Sequence, residues 1–320
     1  MTPLEEAALI AARDCLGIDK EETVLIVTDS LREKIGKTLF EVCQELAKEV
    51  LFLEFLPRKV NGEEPPPAVT EAMKSVDVAI CPTTMSLTHT DARREACKAG
   101  TRVGTMPGIT EDIMIRTMRA DYPEIARLTR KISDILTAGK AAHITTPAGT
   151  DIHIPIVDIN AIPSTGLVLE PGSYGNLPSG EAYLMPREGE SEGIYVVDGS
   201  LAGIGKITGE PIRITVEKGL AVKIEGGDQA ERFNDIVNSV GKDARNLAEL
   251  GVGTNDMAEI KGTTLEDEKV LGTVHLALGN NVTMGGTVNV GFHVDGILLN
   301  PTLKIDDQII LDNGKMIVDG

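Results

Sequence analysis

The chain has 320 residues, of which 42% are hydrophobic and 3% aromatic, with no tryptophan. This length predicts two domains or one large α/β domain, and the low aromatic content predicts aliphatic cores. The formal net charge of −18 argues against nucleic acid as a partner, because phosphate binding requires a basic surface. An acidic N-terminus, the lack of a long apolar run and four scattered cysteines without a CxxC pair predict a cytoplasmic protein that does not span a membrane.

Helical and strand patterns alternate over the first 138 residues. The predicted elements are, in chain order, helix Leu4–Leu16, strand Thr23–Thr28, helix Arg32–Ala47, strand Glu49–Phe55, helix Pro65–Ser75, strand Val76–Cys81, helix Asp91–Ala99, strand Thr101–Thr105, and helices Ile109–Met118 and Pro123–Ala138. Buried strands separated by helices of this length indicate parallel βαβ units. We therefore predict an α/β fold whose N-terminal domain, residues 1–138, is a doubly wound parallel sheet without a nucleotide-binding fingerprint.

His89 follows the third predicted strand and precedes a predicted helix. Ligands of open α/β sheets bind at the carboxyl ends of the strands, so a histidine here is a candidate catalytic acid or base if the domain faces a metal site. A surface histidine in a helix-capping segment, with Thr88 or Thr90 as N-cap, is the simpler interpretation.

The pattern of the sequence changes after Gly139, where short runs of β-branched residues alternate with turn residues. The predicted strands are His143–Thr146, Asp151–Val157, Gly193–Val197, Pro211–Glu217 and Leu220–Glu225, and the one predicted helix is Gln229–Leu250. This composition indicates a β-rich α+β domain over residues 139–320.

Two of the five histidines, His275 and His293, lie in apolar runs typical of strands. Asp295 is two residues after His293, so both side chains project to the same face of a strand. A carboxylate beside two available imidazoles is typical of a divalent-metal site, although a hydrogen-bonded His–Asp pair without a metal is an alternative. The remaining histidines of this half, His143 and His153, lie beside polar residues and are interpreted as structural.

Two glutamates, Glu181 and Glu249, lie in apolar, glycine-bearing segments rather than in charge runs. The segment of Glu249 is one in which a helix pattern meets a glycine-rich turn. A carboxylate in such a context must be paired, protonated or ligating, because burying a lone charge is costly. Together with the histidines they favour a metal site, although no spacing is as specific as HExxH.

The segment Asn-Leu-Pro-Ser-Gly-Glu181, followed by Pro186, resembles the N-(L/I)-P-(T/S)-G-E signature of the aminopeptidase T, or thermophilic metalloprotease, family. The segments of Glu249, His275 and His293 match that family's later metal-binding segments in the same order, and the resemblance covers about residues 175–315. The resemblance implies a homodimer with an α/β N-terminal domain and a β-rich catalytic domain. It also implies that two divalent ions, bridged by carboxylates, are held by Glu181, Glu249, His275, His293 and Asp295.

The chain departs from the peptidases of that family because no tyrosine lies in the Asn280–Gly286 segment after His275. It is more similar to a compact branch described as leucyl aminopeptidase-like. The resemblance also extends to a ring-cleaving dihydroxypyridine dioxygenase, which uses a single iron(II) on the same scaffold.

Our principal hypothesis is a metallo-aminopeptidase that releases N-terminal residues from peptides. Two Zn, Co, Mn or Mg ions would activate a bridging water, and Glu249 would take its proton. The alternative is a non-haem iron(II) oxygenase acting on a small molecule, because His275, His293 and Asp295 also make up a facial triad, with His89 as the candidate base. A non-catalytic binding protein on the same scaffold is a third possibility. The number of bound ions separates the first two hypotheses.

Overall fold

The computed structural model describes residues 1–318. Its helices, with their bounds, are α1 (Pro3–Leu9), α2 (Glu33–Gln44), α3 (Pro67–Met73), α4 (Asp91–Ala99), α5 (Glu111–Thr117), α6 (Tyr122–Ala138), α7 (Asp228–Val240) and α8 (Thr264–Asp267). A π-helical segment, Ile10–Cys15, continues α1, and short 3-10 turns lie at Lys242–Arg245 and Val282–Met284. Among these residues, no helix combines the length and the apolar character needed to cross a bilayer.

Twenty strands accompany these helices within residues 1–318. They are β1 (Thr23–Asp29), β2 (Glu49–Phe55), β3 (Val78–Thr83), β4 (Arg102–Pro107), β5 (Ala141–Thr145), β6 (Asp151–Pro155), β7 (Ile162–Ser164), β8 (Tyr174–Asn176), β9 (Glu181–Leu184), β10 (Glu192–Val197), β11 (Ser200–Leu201), β12 (Gly205–Lys206), β13 (Ile212–Glu217), β14 (Leu220–Glu225), β15 (Leu247–Gly253), β16 (Val274–Gly279), β17 (His293–Leu298), β18 (Thr302–Ile305), β19 (Gln308–Asp312) and β20 (Lys315–Met316).

The first compact unit consists of Met1–Ile125 and Gly166–Ser179. Its parallel sheet has the order β2-β1-β3-β4-β8, and the buried strands β1 and β3 lie in its interior. This arrangement confirms the predicted parallel sheet. The helices and strands predicted before residue 139 are all present, with ends shifted by up to three residues.

The second compact unit consists of Ala126–Thr165 and Gly180–Gly320, and it contains two antiparallel sheets. The eight-stranded sheet has the order β14-β13-β10-β6-β5-β18-β19-β20, and the seven-stranded sheet has the order β12-β11-β17-β16-β15-β9-β7. Apolar residues of both sheets form one core, which α7 completes with Phe233 and Val237. The β-rich character predicted for this half of the chain is therefore confirmed.

The division between the units differs from the predicted boundary between residues 138 and 139. It falls within α6, because Ile132 and Leu136 of that helix pack in the core of the second unit. The segment 166–179 belongs to the first unit, because β8 pairs in parallel with β4. A three-residue strand contributed from so far along the chain leaves no clear pattern in the sequence.

The predicted helix Gln229–Leu250 is wrong in its second half. The helix ends at Val240, and Gly241 follows with φ of 110°, a conformation that favours glycine and stops the helix. Residues Leu247–Gly253 are instead a fully buried strand between β16 and β9. Glu249 therefore lies in the middle of a sheet and not at the end of a helix.

Candidate metal centre

Four adjacent strands of the seven-stranded sheet carry the predicted metal ligands. The register pairs Asp295 of β17 with Ala277 of β16, and Ala277 with Glu249 of β15. Because directly opposite residues of antiparallel strands share a face, and alternate residues of one strand do too, all the candidates project to one side. These candidates are Glu181, Glu249, His275, His293 and Asp295.

Each candidate ligand lies opposite a small residue on the neighbouring strand. Gly251 is opposite His275, Gly253 is opposite Glu181, and Gly279 is opposite His293. A Cβ at Gly251 would lie only 2.0 Å from His275 Nε2, so the imidazole occupies the space that a side chain at this position would fill. The other face of the strands carries leucines and valines of the core. The alternation therefore separates an aliphatic face from a face of small residues that admits the polar side chains.

The side chains converge closely on this face. Glu249 lies between the two imidazoles, with Oε1 at 3.3 Å from His275 Nε2 and Oε2 at 3.3 Å from His293 Nε2. Asp295 Oδ1 is 3.5 Å from His293 Nε2, and Glu181 Oε2 is 3.6 Å from His275 Nε2. Glu249, His275 and Asp295 each offer one ligand atom within 4.8 Å of the others. The described residues thus contain a buried group with the composition of a metal site.

The orientation of the two histidines suits ligation through Nε2. His293 Nδ1 lies 2.8 Å from the carbonyl oxygen of Asn280. A carbonyl only accepts, so Nδ1 carries the proton and Nε2 faces the carboxylates with a free lone pair when the ring is neutral. His275 is fully buried, whereas the side chain of His293 is 34% exposed. His293 therefore lies where the cluster meets solvent.

The cluster is short of positive charge. Burial works against the charged form of His275, but the hydrogen bond with Glu249 and the nearby carboxylates outweigh it and raise the pKa of His275 to about 9. The pKa of His293 is raised by Asp295 and Glu249 against the same opposing effect of burial. Burial likewise raises the pKa of Glu249, yet hydrogen bonds from both histidines lower it to about 2. The negative electrostatic potential of these carboxylates favours a cation in the site.

Lys269 and Glu268 complete the cluster, and sequence reasoning missed both. Lys269 is fully buried, and its ammonium is 3.3 Å from Glu181 Oε1 and in close contact with Glu268 Oε1. Burial raises the pKa of Glu268 to about 8, although the charge of Lys269 opposes this. In the sequence these residues belong to the run Glu-Asp-Glu-Lys, whose composition is typical of a solvated surface.

His89 is an exposed residue in the turn of the first unit between β3 and α4. The helix-capping interpretation of its segment is confirmed, because the Thr90 side chain accepts a hydrogen bond from the backbone of Arg93 at the start of α4. A role of His89 as catalytic acid or base stays a prediction.

A second group of ligand-type side chains, His143, Asp151 and His153, lies on β5 and β6. His143 and His153 are register partners whose rings stack at 4.0 Å, and Asp151 Oδ1 is 2.8 Å from His143 Nε2. Asp151 and His153 are exposed, so solvent satisfies these groups in a way that is not open to the buried cluster. We therefore keep the structural interpretation of these two histidines.

The fold and the cluster together define a two-domain α/β protein with imidazoles and carboxylates on one sheet face. A family model described as NicX, 2,5-dihydroxypyridine 5,6-dioxygenase, matches residues 16–318. The chain belongs to this family. It is 24% identical over 262 residues to the 2,5-dihydroxypyridine 5,6-dioxygenase of Pseudomonas putida KT2440, covering 78% of this chain and 73% of that protein.

Two solved structures share the fold. The 2,5-dihydroxypyridine dioxygenase of Pseudomonas putida KT2440 has a TM-score of 0.86 at 20% identity, covering 100% of this chain and 99% of the other. AmpT of Thermus thermophilus has a TM-score of 0.69 at 18% identity, covering 99% of each chain. The resemblance to the aminopeptidase T family is therefore confirmed for the fold.

The aminopeptidase hypothesis is wrong. The family match and the curated relative both carry the name of a dioxygenase, which overturns our interpretation of the chain as a hydrolase or protease. The reason for the error is chemical, since two imidazoles and a group of carboxylates suit either hydrolysis or oxygen chemistry.

Proposed function

We propose that this protein is a dioxygenase that acts on a dihydroxypyridine, like the relative in Pseudomonas putida named 2,5-dihydroxypyridine 5,6-dioxygenase, and that it uses iron(II) to open the ring. In this proposal His275, His293 and Asp295 hold the ion as a facial triad of two imidazoles and one carboxylate. The observation that carries the proposal is the convergence of these side chains on one sheet face, within a chain that belongs to the dioxygenase family.

The residues present fit a divalent cation. Glu249 and Asp295 present carboxylate oxygens at 3.3–3.5 Å from the Nε2 atoms of His275 and His293. Carboxylate oxygens and imidazole nitrogens in this combination are the ligand types of a divalent first-row ion. Because the pKa values of both histidines are raised, a divalent ion would take the place of their protons beside the buried carboxylates.

A ferrous ion in a facial triad supplies the redox chemistry through which dioxygen reacts with an electron-rich ring. The chain's own residues prepare the site for it. The Asn280 carbonyl fixes the tautomer and direction of His293, and Gly251 provides the space for His275. Glu249 lies 3.3 Å from the Nε2 atom of each ring, which directs the two Nε2 atoms towards one point.

His293 lies at the solvent-exposed edge of the cluster, and we assign the approach of the substrate to this side. Glu249 is the carboxylate next to both histidines, so it is the nearest group able to accept a proton from a ring hydroxyl of the substrate. The predicted homodimer and cytoplasmic location stay predictions.

Oxygen uptake tests the proposal directly. Protein purified without oxygen and loaded with Fe(II) is expected to consume dioxygen when 2,5-dihydroxypyridine is added, with loss of the absorbance of the substrate ring. His293→Ala and Asp295→Ala are expected to abolish both signals, whereas His153→Ala, a matched change on the other sheet, is expected to leave them intact. Iron-loaded protein that binds the metal stoichiometrically but consumes no oxygen with dihydroxypyridines would overturn the assignment.

A further inference from the structure

Lys269 is a fully buried lysine whose ammonium faces two carboxylates. It contacts Glu181 Oε1 at 3.3 Å and Glu268 Oε1 more closely, and the side chain of Glu181 is itself 8% exposed. A lysine is almost never fully buried unless it is paired. The ammonium of Lys269 therefore places a positive charge at Glu181, beside the group of Glu249, His275 and Asp295.

The backbone fixes Lys269 at this place. A Cβ at Gly253 would lie 2.1 Å from the carbonyl oxygen of Val270 and 2.8 Å from the carbonyl carbon of Lys269, so only glycine lets this segment approach β15. The amide of Asn255 donates to the carbonyl of Lys269 at 2.8 Å. Gly253 is in turn the register partner of Glu181 on β9. The lysine is thus held next to Glu181 by the strand pairing itself.

Glu181 differs from the other carboxylates in having the lysine as a partner. Glu249 Oε1 and Asp295 Oδ1 lie 3.3 and 3.5 Å from a histidine Nε2, whereas Glu181 turns Oε1 to the lysine and leaves only Oε2 at 3.6 Å from His275. A second divalent ion at Glu181 would have to displace the ammonium or lie beside a like charge in a dry environment, and both are unfavourable.

We propose that Lys269 is a fixed cation that takes the place of a second metal ion and limits the centre to one. By holding Glu181 and Glu268 it leaves His275, His293 and Asp295 to bind the ion, with Glu249 free to act as the proton acceptor. The proposal rests on the metal site of the proposed function, which it deepens. It also gives a physical reason why a cluster with enough carboxylates to bind two metal ions would bind one.

Metal stoichiometry tests the proposal without any activity measurement. Metal-free protein is titrated with Mn²⁺, and bound ions are counted from the loss of the electron paramagnetic resonance signal of free Mn²⁺. Wild-type protein is expected to bind one ion. Lys269→Met is expected to bind two, with the spectrum of a spin-coupled pair, and Lys269→Arg is expected to bind one. Lys261→Met removes an exposed lysine of the same segment and is expected to match the wild type.

A companion variant covers the case in which Lys269→Met does not fold, since it leaves two buried carboxylates uncompensated. Glu181→Gln keeps the lysine paired with Glu268, and the proposal expects it to bind one ion with a Kd within about threefold of the wild type, because Glu181 is not a ligand. Loss of Mn²⁺ binding by tenfold or more in Glu181→Gln would overturn the proposal.

Two further outcomes would also overturn it: two ions in the wild type, or one ion in folded Lys269→Met. The proposed function fails in a different way. If wild type binds one ion and Lys269→Met binds two, but the iron-loaded wild type takes up no oxygen with dihydroxypyridines, the role of Lys269 stands and the dioxygenase assignment falls.

Discussion

Replacing Gly251 with alanine is expected to disable the metal centre without removing any candidate ligand. The new Cβ would lie 2.0 Å from His275 Nε2, so the imidazole has to move by about 1.4 Å to reach an ordinary contact of 3.4 Å. Metal–ligand distances tolerate only ~0.2 Å. His275 is therefore lost as a ligand, and we expect Fe(II) affinity to fall by about 100-fold or more. Overpacking is expected to cost a further ~1–3 kcal/mol of stability.

The assay is an anaerobic competition titration of Fe(II) against a coloured chelator, with urea unfolding of the metal-free protein alongside. Gly291→Ala is the matched control, because a Cβ at Gly291 meets no atom within 4 Å and the residue lies only two positions from His293. It is expected to behave as the wild type. If Gly251→Ala bound Fe(II) with wild-type affinity, the placement of His275 opposite Gly251 in the metal centre would be refuted.

Three other predictions concern stability and reactivity. Phe233→Ala removes a buried side chain of α7 and is expected to cost about 3–5 kcal/mol in urea unfolding, whereas Ile236→Ala, 40% exposed on the same helix, is expected to cost less than about 0.5 kcal/mol. Burial raises the pKa of Cys43 and Cys81 to about 12, so a thiol reagent at pH 8 is expected to modify half-buried Cys97 first. Peptide mapping measures the order of modification, and equal modification of all four cysteines would contradict this expectation. Partial burial raises the pKa of Glu188, but hydrogen bonds from Thr287 and Asn281 outweigh it and lower the pKa. The ionised Glu188 therefore stabilises the fold at pH values above the usual glutamate pKa, and this stabilisation is lost as the pH falls through the lowered pKa. The wild type is expected to have a higher Tm than Glu188→Gln at pH 7, and the difference in Tm should shrink in acid.

The reaction was predicted wrongly because it depends on more than the local spacing of residues. Alternation along a strand is a local property, so the pair His293 and Asp295 could be assigned to one face from their spacing alone. The reaction depends on how many ions the pocket holds, and that depends on charges brought in from elsewhere. Lys269 is one such charge, and its segment has the composition of an exposed loop.

Local patterns in the sequence determined the parallel sheet of the first unit, the β-rich second unit and the residue types of the candidate centre. These features follow from hydrophobic periodicity and from side chains whose chemistry is independent of context. Tertiary structure alone decided that β8 joins the first sheet, that Glu249 lies in a strand, and that glycines face the ligands across the sheet. Strand register and long-range ion pairs join residues far apart in the chain, so no local pattern encodes them.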